Sequence, residues 1–318
     1  MDTLDLFSAQ KTTAGALVKA MEAWVPVRWV AGKEGQDRVI GHPRIQKSGL
    51  IFAGHRHGLV PTRIQVFGET ELSFFESLPK ALRSQRAGEY FGLLPSLSVV
   101  TRGAEVPQEW IQEAERYLCP LVVAQTRSSQ TIAVIHALLD ELLAPRILQH
   151  GVMVEVHGVG VLLVGKSGIG KSECALFLVE RGHRLVADDQ VEVILRSDGR
   201  LMGRAPPPLR HHLEVRGLGI LNIRELFGAT AVRDEMPIEL VIHLRSFEAS
   251  DEIDRLGIDE HHTDILGKKV PTVILPVRAG RDMGVLIEVA ARNYLLQRSG
   301  FRLAQAFVEQ IDRLKGLR

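Results

Sequence analysis

Cysteine is nearly absent: Cys119 and Cys174 are the only two in 318 residues. They stand far apart in sequence, which excludes a disulfide framework as the source of stability and points to a reducing compartment. Each reads as a small buried hydrophobe. No apolar run approaches the roughly 20 residues needed to cross a bilayer. The acidic start Met1-Asp2-Thr3-Leu4-Asp5-Leu6 is unlike a secretory signal. A soluble, cytoplasmic protein with no membrane partner is expected. Neither charge sign is in excess, with 39 Lys plus Arg against 38 Asp plus Glu and a formal net charge of +1. That balance removes any general attraction to nucleic acid or anionic lipid, so no nucleic-acid partner is expected and any anion site must be a local arrangement. Internal repeats and low-complexity tracts are also missing.

What is there is ordinary for a globular chain, with 45% hydrophobic and 24% charged residues, and it suffices for one large domain or two of common size. The first part mixes short apolar runs with turn signals. Strands are expected at 48–54, 63–68, 96–100 and 121–124, and helices at 71–83 and 107–118. The polar stretch Thr126-Arg127-Ser128-Ser129-Gln130 reads as a boundary. The expected organisation is therefore α/β throughout, with a small N-terminal α/β domain over 1–128 and a C-terminal α/β domain over 129–318. The second part opens with a helix over 131–143, halted by Pro145. Strands at 152–156, 159–164, 185–187 and 240–244 follow, with a helix over 171–181 that stops at Gly182. Two helical patterns close the chain, parted near Ser299-Gly300. The last carries Phe301, Ala304, Phe307, Val308, Ile311 and Leu314 on one face and reads as a packing helix.

Gly165-Lys166-Ser167-Gly168-Ile169-Gly170-Lys171-Ser172 matches G-x-x-x-x-G-K-[ST]. The glycines let the backbone curl so that several N–H groups face phosphate oxygens, and the helix that follows adds its positive end. Lys171 can reach the β- and γ-phosphates, and the Ser172 hydroxyl can ligate Mg²⁺. Gly160-Val161-Leu162-Leu163-Val164 before it reads as a strand and Glu173-Cys174-Ala175-Leu176-Phe177-Leu178 after it as a helix, the order this loop requires.

Asp188 and Asp189 follow Leu185-Val186-Ala187. Carboxylates at a strand end beside such a loop can hold Mg²⁺, and one can take a proton from a hydroxyl attacking the γ-phosphoryl group. His150 precedes a strand. His157, His183, His211, His212, His261 and His262 form no metal pattern with cysteine, and the adjacent pairs read as surface. Leu213-Glu214-Val215-Arg216-Gly217-Leu218-Gly219-Ile220-Leu221-Asn222 reads as a strand or turn with close backbone approach. Pro276-Val277-Arg278-Ala279-Gly280-Arg281 is a loop whose two arginines suit phosphate or pyrophosphate. On these residues alone, a P-loop kinase for a small metabolite and a nucleotide sensor without turnover both stay open.

Together these stretches resemble the HPr kinase/phosphorylase family. The resemblance rests on His150-Gly151-Val152, the loop 165–172, Arg181-Gly182-His183-Arg184-Leu185-Val186-Ala187-Asp188-Asp189, the signature 213–223, Asp254-Arg255-Leu256-Gly257 and the 276–281 loop. It implies that 129–318 is a C-terminal P-loop kinase domain, in an enzyme that phosphorylates a serine of the phosphocarrier protein HPr with Mg²⁺ and ATP, pyrophosphate staying open as an alternative donor, and removes that phosphate by phosphorolysis, giving pyrophosphate. It implies that Lys171 and the loop backbone, Gly165 through Ser172, bind the nucleotide, and that Ser172 and Glu214 bind Mg²⁺. Asp189 is then the proton acceptor, Asp188 its metal-linked neighbour, and His150 and Arg255 active-site groups. Residues 213–222 serve both reactions, and 276–281 chiefly dephosphorylation. A homohexamer is also implied. Lys166, Cys174 and Ala279 depart from the family pattern, and Ala279 makes the phosphorolysis less secure than the kinase activity.

Overall fold

In the computed structural model, residues 11–246, 261–278 and 280–301 are described. The chain divides into two compact units, Met1–Pro145 and Arg146–Arg318. Among the described residues no helix is long and apolar enough to cross a membrane.

The first unit is built on a five-stranded sheet in the order Val27–Ala31, Leu121–Ala124, Leu97–Val100, Ile64–Phe67, Ile45–Gln46. The last four run parallel and the first is antiparallel. Helices cover both faces, so its central strands are buried on both sides and read as unbroken apolar runs. The scarce aromatics concentrate on one face, where Phe52, Phe67, Phe75, Tyr90, Phe91 and Trp110 pack together. Helices Ala14–Glu22 and Ser128–Leu142 cover the other through Leu17, Met21, Ile135 and Leu139.

Three expectations for this region change. The 48–54 run is a 3₁₀ helix, Gly49–Ala53, because Ile51 and Phe52 are both buried and Gly54 closes the turn at φ 93°. The 71–83 helix is two helices, Glu69–Ser77 and Lys80–Phe91, with Leu78 forced extended before Pro79. The division between units falls at Pro145/Arg146 and not near Ser128. The polar tract at 126–130 is a tight strand-to-helix corner, in which Thr126 Oγ1 and Thr131 Oγ1 lie 2.8 Å apart, and the helix it starts packs into the first unit.

Among its described residues the second unit has two large sheets and a separate two-stranded hairpin. The larger runs Arg184–Ala187, Val152–Val156, Val159–Gly165, Leu240–Ser246, Lys268–Val277, His261–Ile265. The smaller is antiparallel, in the order Glu235–Pro237, Leu201–Arg204, Gln190–Leu195, Arg146–His150. Alternation along the strands sorts the core. Val152, Val154, Val161, Leu163 and Ile242 meet helices Lys171–Glu180 and Met283–Arg298. Met153, Leu162 and Val241 meet Val191, Val193 and Leu201 of the smaller sheet. Of the two C-terminal helical patterns, the first is Met283–Arg298; the second, from Ala304 onward, lies outside the described residues.

Gly160 marks a close approach between the two sheets. A Cβ there would lie 1.8 Å from the Pro237 carbonyl oxygen, while Glu239 N–H donates to the Gly160 carbonyl at 2.9 Å. Backbone cannot yield as a side chain tip can. Gly160→Ala is expected to destabilise the second unit by about 1–3 kcal/mol, read as a lower midpoint in chemical denaturation; an unchanged midpoint would contradict the contact.

Candidate active site

Strand direction assembles the site. Val159–Gly165, Leu240–Ser246 and Lys268–Val277 are parallel. Arg184–Ala187 is antiparallel to Val152–Val156, itself antiparallel to Val159–Gly165, so it points the same way. The C-terminal ends of these four strands share one edge, where open α/β sheets receive ligands. From that edge leave the 165–170 loop and the Asp188-Asp189 pair, and there the strands Leu240–Ser246 and Lys268–Val277 end. Arg255, with 247–260, lies outside the described residues, as does Ala279.

The phosphate loop has the curled backbone its glycines foretell. Gly165, Gly168 and Gly170 sit at φ 151°, 79° and 100°. Gly170 is the residue before helix Lys171–Glu180, so that helix directs its free N–H groups into the loop. At Gly165 a Cβ would also fall 2.4 Å from the Leu244 carbonyl oxygen. Lys171 is buried, and its Nζ donates to the Gly165 and Lys166 carbonyls at 3.0 and 3.2 Å. Lys166 and Ser167 are exposed and Ile169 packs partly against the core. Cys174, one turn into the helix, is buried, and burial pushes its thiol up to about 11; Cys119 is likewise buried and raised to about 11.

The two aspartates diverge. Asp188 is buried, and one carboxylate oxygen accepts from Ser172 Oγ–H and the other from Glu214 N–H, each at 2.9 Å. Desolvation holds its pKa above the ordinary aspartate value, against the pull of those two donors. Asp189 has a side chain 55% exposed and 3.2 Å from His150 Nδ1, on a backbone at φ 63°. Their register is fixed by strand pairing, with Gln190 opposite His150 and Gly151 N–H donating to the Asp189 carbonyl. Only the alternation in Gln190-Val191-Glu192-Val193 hints at this pairing.

The signature stretch is a hairpin, His212–Val215 with Gly219–Asn222. Leu213 and Val215 are buried, whereas Leu218 and Ile220 are exposed. Asn222 caps the next short helix by accepting from Glu225 N–H. Its glycines do not serve close approach, because a Cβ on Gly217 or Gly219 would meet nothing within 4 Å. They serve φ values of 84° and 81°. The Arg216 guanidinium lies against Gly168 of the phosphate loop. His211 is half-buried, with its Nε2 3.1 Å from Asp234, whose side chain is exposed. In the 276–281 stretch, Pro276 and Val277 end a strand opposite Arg245 and Ser246. Gly280 then turns at φ 79°, and Arg281 N–H donates to the Arg278 carbonyl.

The edge therefore brings together a phosphate cradle, a lysine, a buried carboxylate bound to a loop hydroxyl, and an exposed carboxylate beside a histidine. Two oxygen ligands meet there, the Ser172 hydroxyl and the Asp188 carboxylate, and the Glu214 backbone N–H closes on the same carboxylate. Such a set fits Mg²⁺, and the cradle fits a polyphosphate.

Residues 141–311 match the family model described as HPr Serine kinase C-terminal domain, and 13–139 match HPr Serine kinase N terminus. A protein of Exiguobacterium sp. named HPr kinase/phosphorylase is 42% identical over 282 residues, 89% of this chain and 91% of that one. Its namesake from Bacillus subtilis is 40% identical over 282 residues, with the same coverage of 89% and 91%. The solved Hpr(Ser) kinase/phosphatase from Coxiella burnetii aligns at a TM-score of 0.47 and 32% identity, covering 51% of this chain and 98% of that one. With both of its units matched and its relatives paired along most of their length, the chain belongs to the HPr kinase/phosphorylase family.

Proposed function

We propose that the chain is a bifunctional enzyme that transfers a phosphoryl group from ATP to a serine of HPr and returns it, by phosphorolysis, to inorganic phosphate as pyrophosphate. The observation that carries this reading is the pairing of His150 with Asp189 at 3.2 Å, beside a phosphate loop whose Ser172 already meets Asp188.

The loop N–H groups and Lys171 hold the nucleotide phosphates, Lys171 turning from the Gly165 and Lys166 carbonyls to phosphoryl oxygens. Ser172, Asp188 and Glu214 hold Mg²⁺, which when bound offsets charge on the transferring phosphoryl group. Asp189 takes the proton from the attacking serine hydroxyl, and His150 keeps that carboxylate turned toward the edge. In the reverse direction the same Asp189 returns the proton to the serine oxygen as inorganic phosphate attacks. Arg255 and the arginines of the 276–281 loop supply further positive charge, the latter for the second anion of phosphorolysis. Residues 213–222 shape the rim of the site. The same reading carries a cytoplasmic homohexamer without nucleic-acid or membrane partners, checked by its mass in solution.

Purified protein, HPr, ATP and Mg²⁺ should yield phosphoserine on HPr, and phosphoserine-HPr with inorganic phosphate should release pyrophosphate. Transfer to no HPr serine would sink the reading. Release of phosphate alone would reduce the reverse reaction to hydrolysis.

A further inference from the structure

The catalytic residues use one edge of the larger sheet. At the opposite edge three side chains from separate elements converge. His157 and Gly158 form the two-residue turn between Val152–Val156 and Val159–Gly165, with φ 51° and 82°, the pattern of a type I′ hairpin. His183 precedes strand Arg184–Ala187, and Glu288 lies on helix Met283–Arg298; both side chains are 9% exposed. His183 Nε2 is 2.8 Å from Glu288 Oε1. The two imidazoles are 4.7 Å apart and nearly perpendicular. One ligand atom from each of the three residues lies within 4.8 Å of the others.

Two arginines complete the surroundings. Arg181 forks onto Glu288, its Nε 3.1 Å from Oε1 and a terminal nitrogen 2.9 Å from Oε2. Arg292 Nε–H donates to His157 Nε2 at 3.1 Å. That bond leaves Nε2 of His157 unprotonated, its lone pair taken up by Arg292. Desolvation and the neighbouring cationic groups lower the His157 pKa and favour this neutral form. The Arg181 fork is the kind of outer bond that orients a ligating carboxylate.

We propose that His157, His183 and Glu288 form a binding site for a divalent cation of the Zn²⁺ class, with the fourth position open to water on the exposed His157 side. Two imidazoles and one carboxylate are a donor set that holds zinc tetrahedrally. Mg²⁺ prefers oxygen ligands, so the catalytic cation does not compete for it. The ion pins together the hairpin, the start of one strand and a helix, far from the phosphate loop. Glu288 attracts the cation; Arg181 and Arg292 oppose it. Arg292 must also leave His157 Nε2 before the metal can take that lone pair, which makes Arg292 the gate of the site.

Full-length protein stripped by a chelator and dialysed, without nucleotide, is titrated with ZnCl₂ by calorimetry and with Co²⁺ by electronic absorption. One saturating equivalent, tetrahedral Co²⁺ bands and a raised Tm are expected. His157→Asn keeps the positive-φ turn and should weaken Zn²⁺ binding at least ~10-fold and erase the Tm rise, because even outer-shell losses cost that much. Arg292→Ala keeps all three ligands and should tighten binding. The site is overturned by unsaturable Zn²⁺ uptake in the wild type, by undiminished binding in folded H157N, or by weaker binding in R292A.

Discussion

Lys171→Ala should lower the rate of ATP-dependent HPr phosphorylation by on the order of 10³-fold, since removing one preorganised positive or hydrogen-bonding group from a charged transition state costs about that much. Lys171 is buried at the first position of the loop helix, and its Nζ reaches two loop carbonyls, Gly165 and Lys166. Its loss therefore removes a charge without emptying the core. The carbonyls it leaves belong to residues open to solvent in part or fully, so water can replace the ammonium and the fold should hold. Steady-state transfer to HPr, with thermal melting as the control for folding, checks this. A folded variant within ten-fold of the wild type would remove Lys171 from the mechanism.

The second large effect is at Asp189. Asn is close to isosteric and tolerates the left-handed backbone at φ 63°, so Asp189→Asn changes the proton chemistry and little else. Turnover should fall by ~10²–10⁴-fold, the range for losing a positioned general base. Nucleotide affinity should stay, because Asp189 is half-exposed beside His150 and not in the phosphate loop. If nucleotide affinity falls as far as turnover, Asp189 is a binding group and not the base. Asp188→Asn offers no such separation: its two oxygens serve Ser172 and Glu214, and an amide cannot accept from both without turning its NH₂ on one of them.

The phosphate loop was legible because its geometry is local. Three glycines, a lysine and a serine within eight positions dictate their own backbone, and the flanking apolar runs declare a strand and a helix. The Asp188-Asp189 pair was legible as a pair, but not the division between them. Which aspartate is buried depends on the hairpin carrying Glu214, a non-local neighbour. His150 beside Asp189 follows from the register between Arg146–His150 and Gln190–Leu195, which no short window encodes. The His157, His183 and Glu288 cluster was invisible for the same reason, being assembled from a turn, a strand start and a helix. The misplaced boundary at Ser128 had a different cause. Polar residues mark a corner as readily as a linker, and only the burial of Ile135 and Leu139 against the first unit tells them apart.

The strand that carries the phosphate loop has two partners of unlike origin. Val152–Val156 reaches it through a two-residue turn, while Leu240–Ser246 comes from far along the chain and seats Leu244 against Gly165. Local pairings form before distant ones. On the ribosome, a nascent chain that has not yet delivered Leu240 already holds every residue of the loop motif, yet lacks one wall of the cradle. The cradle is thus completed late in synthesis, after its own sequence has long been made.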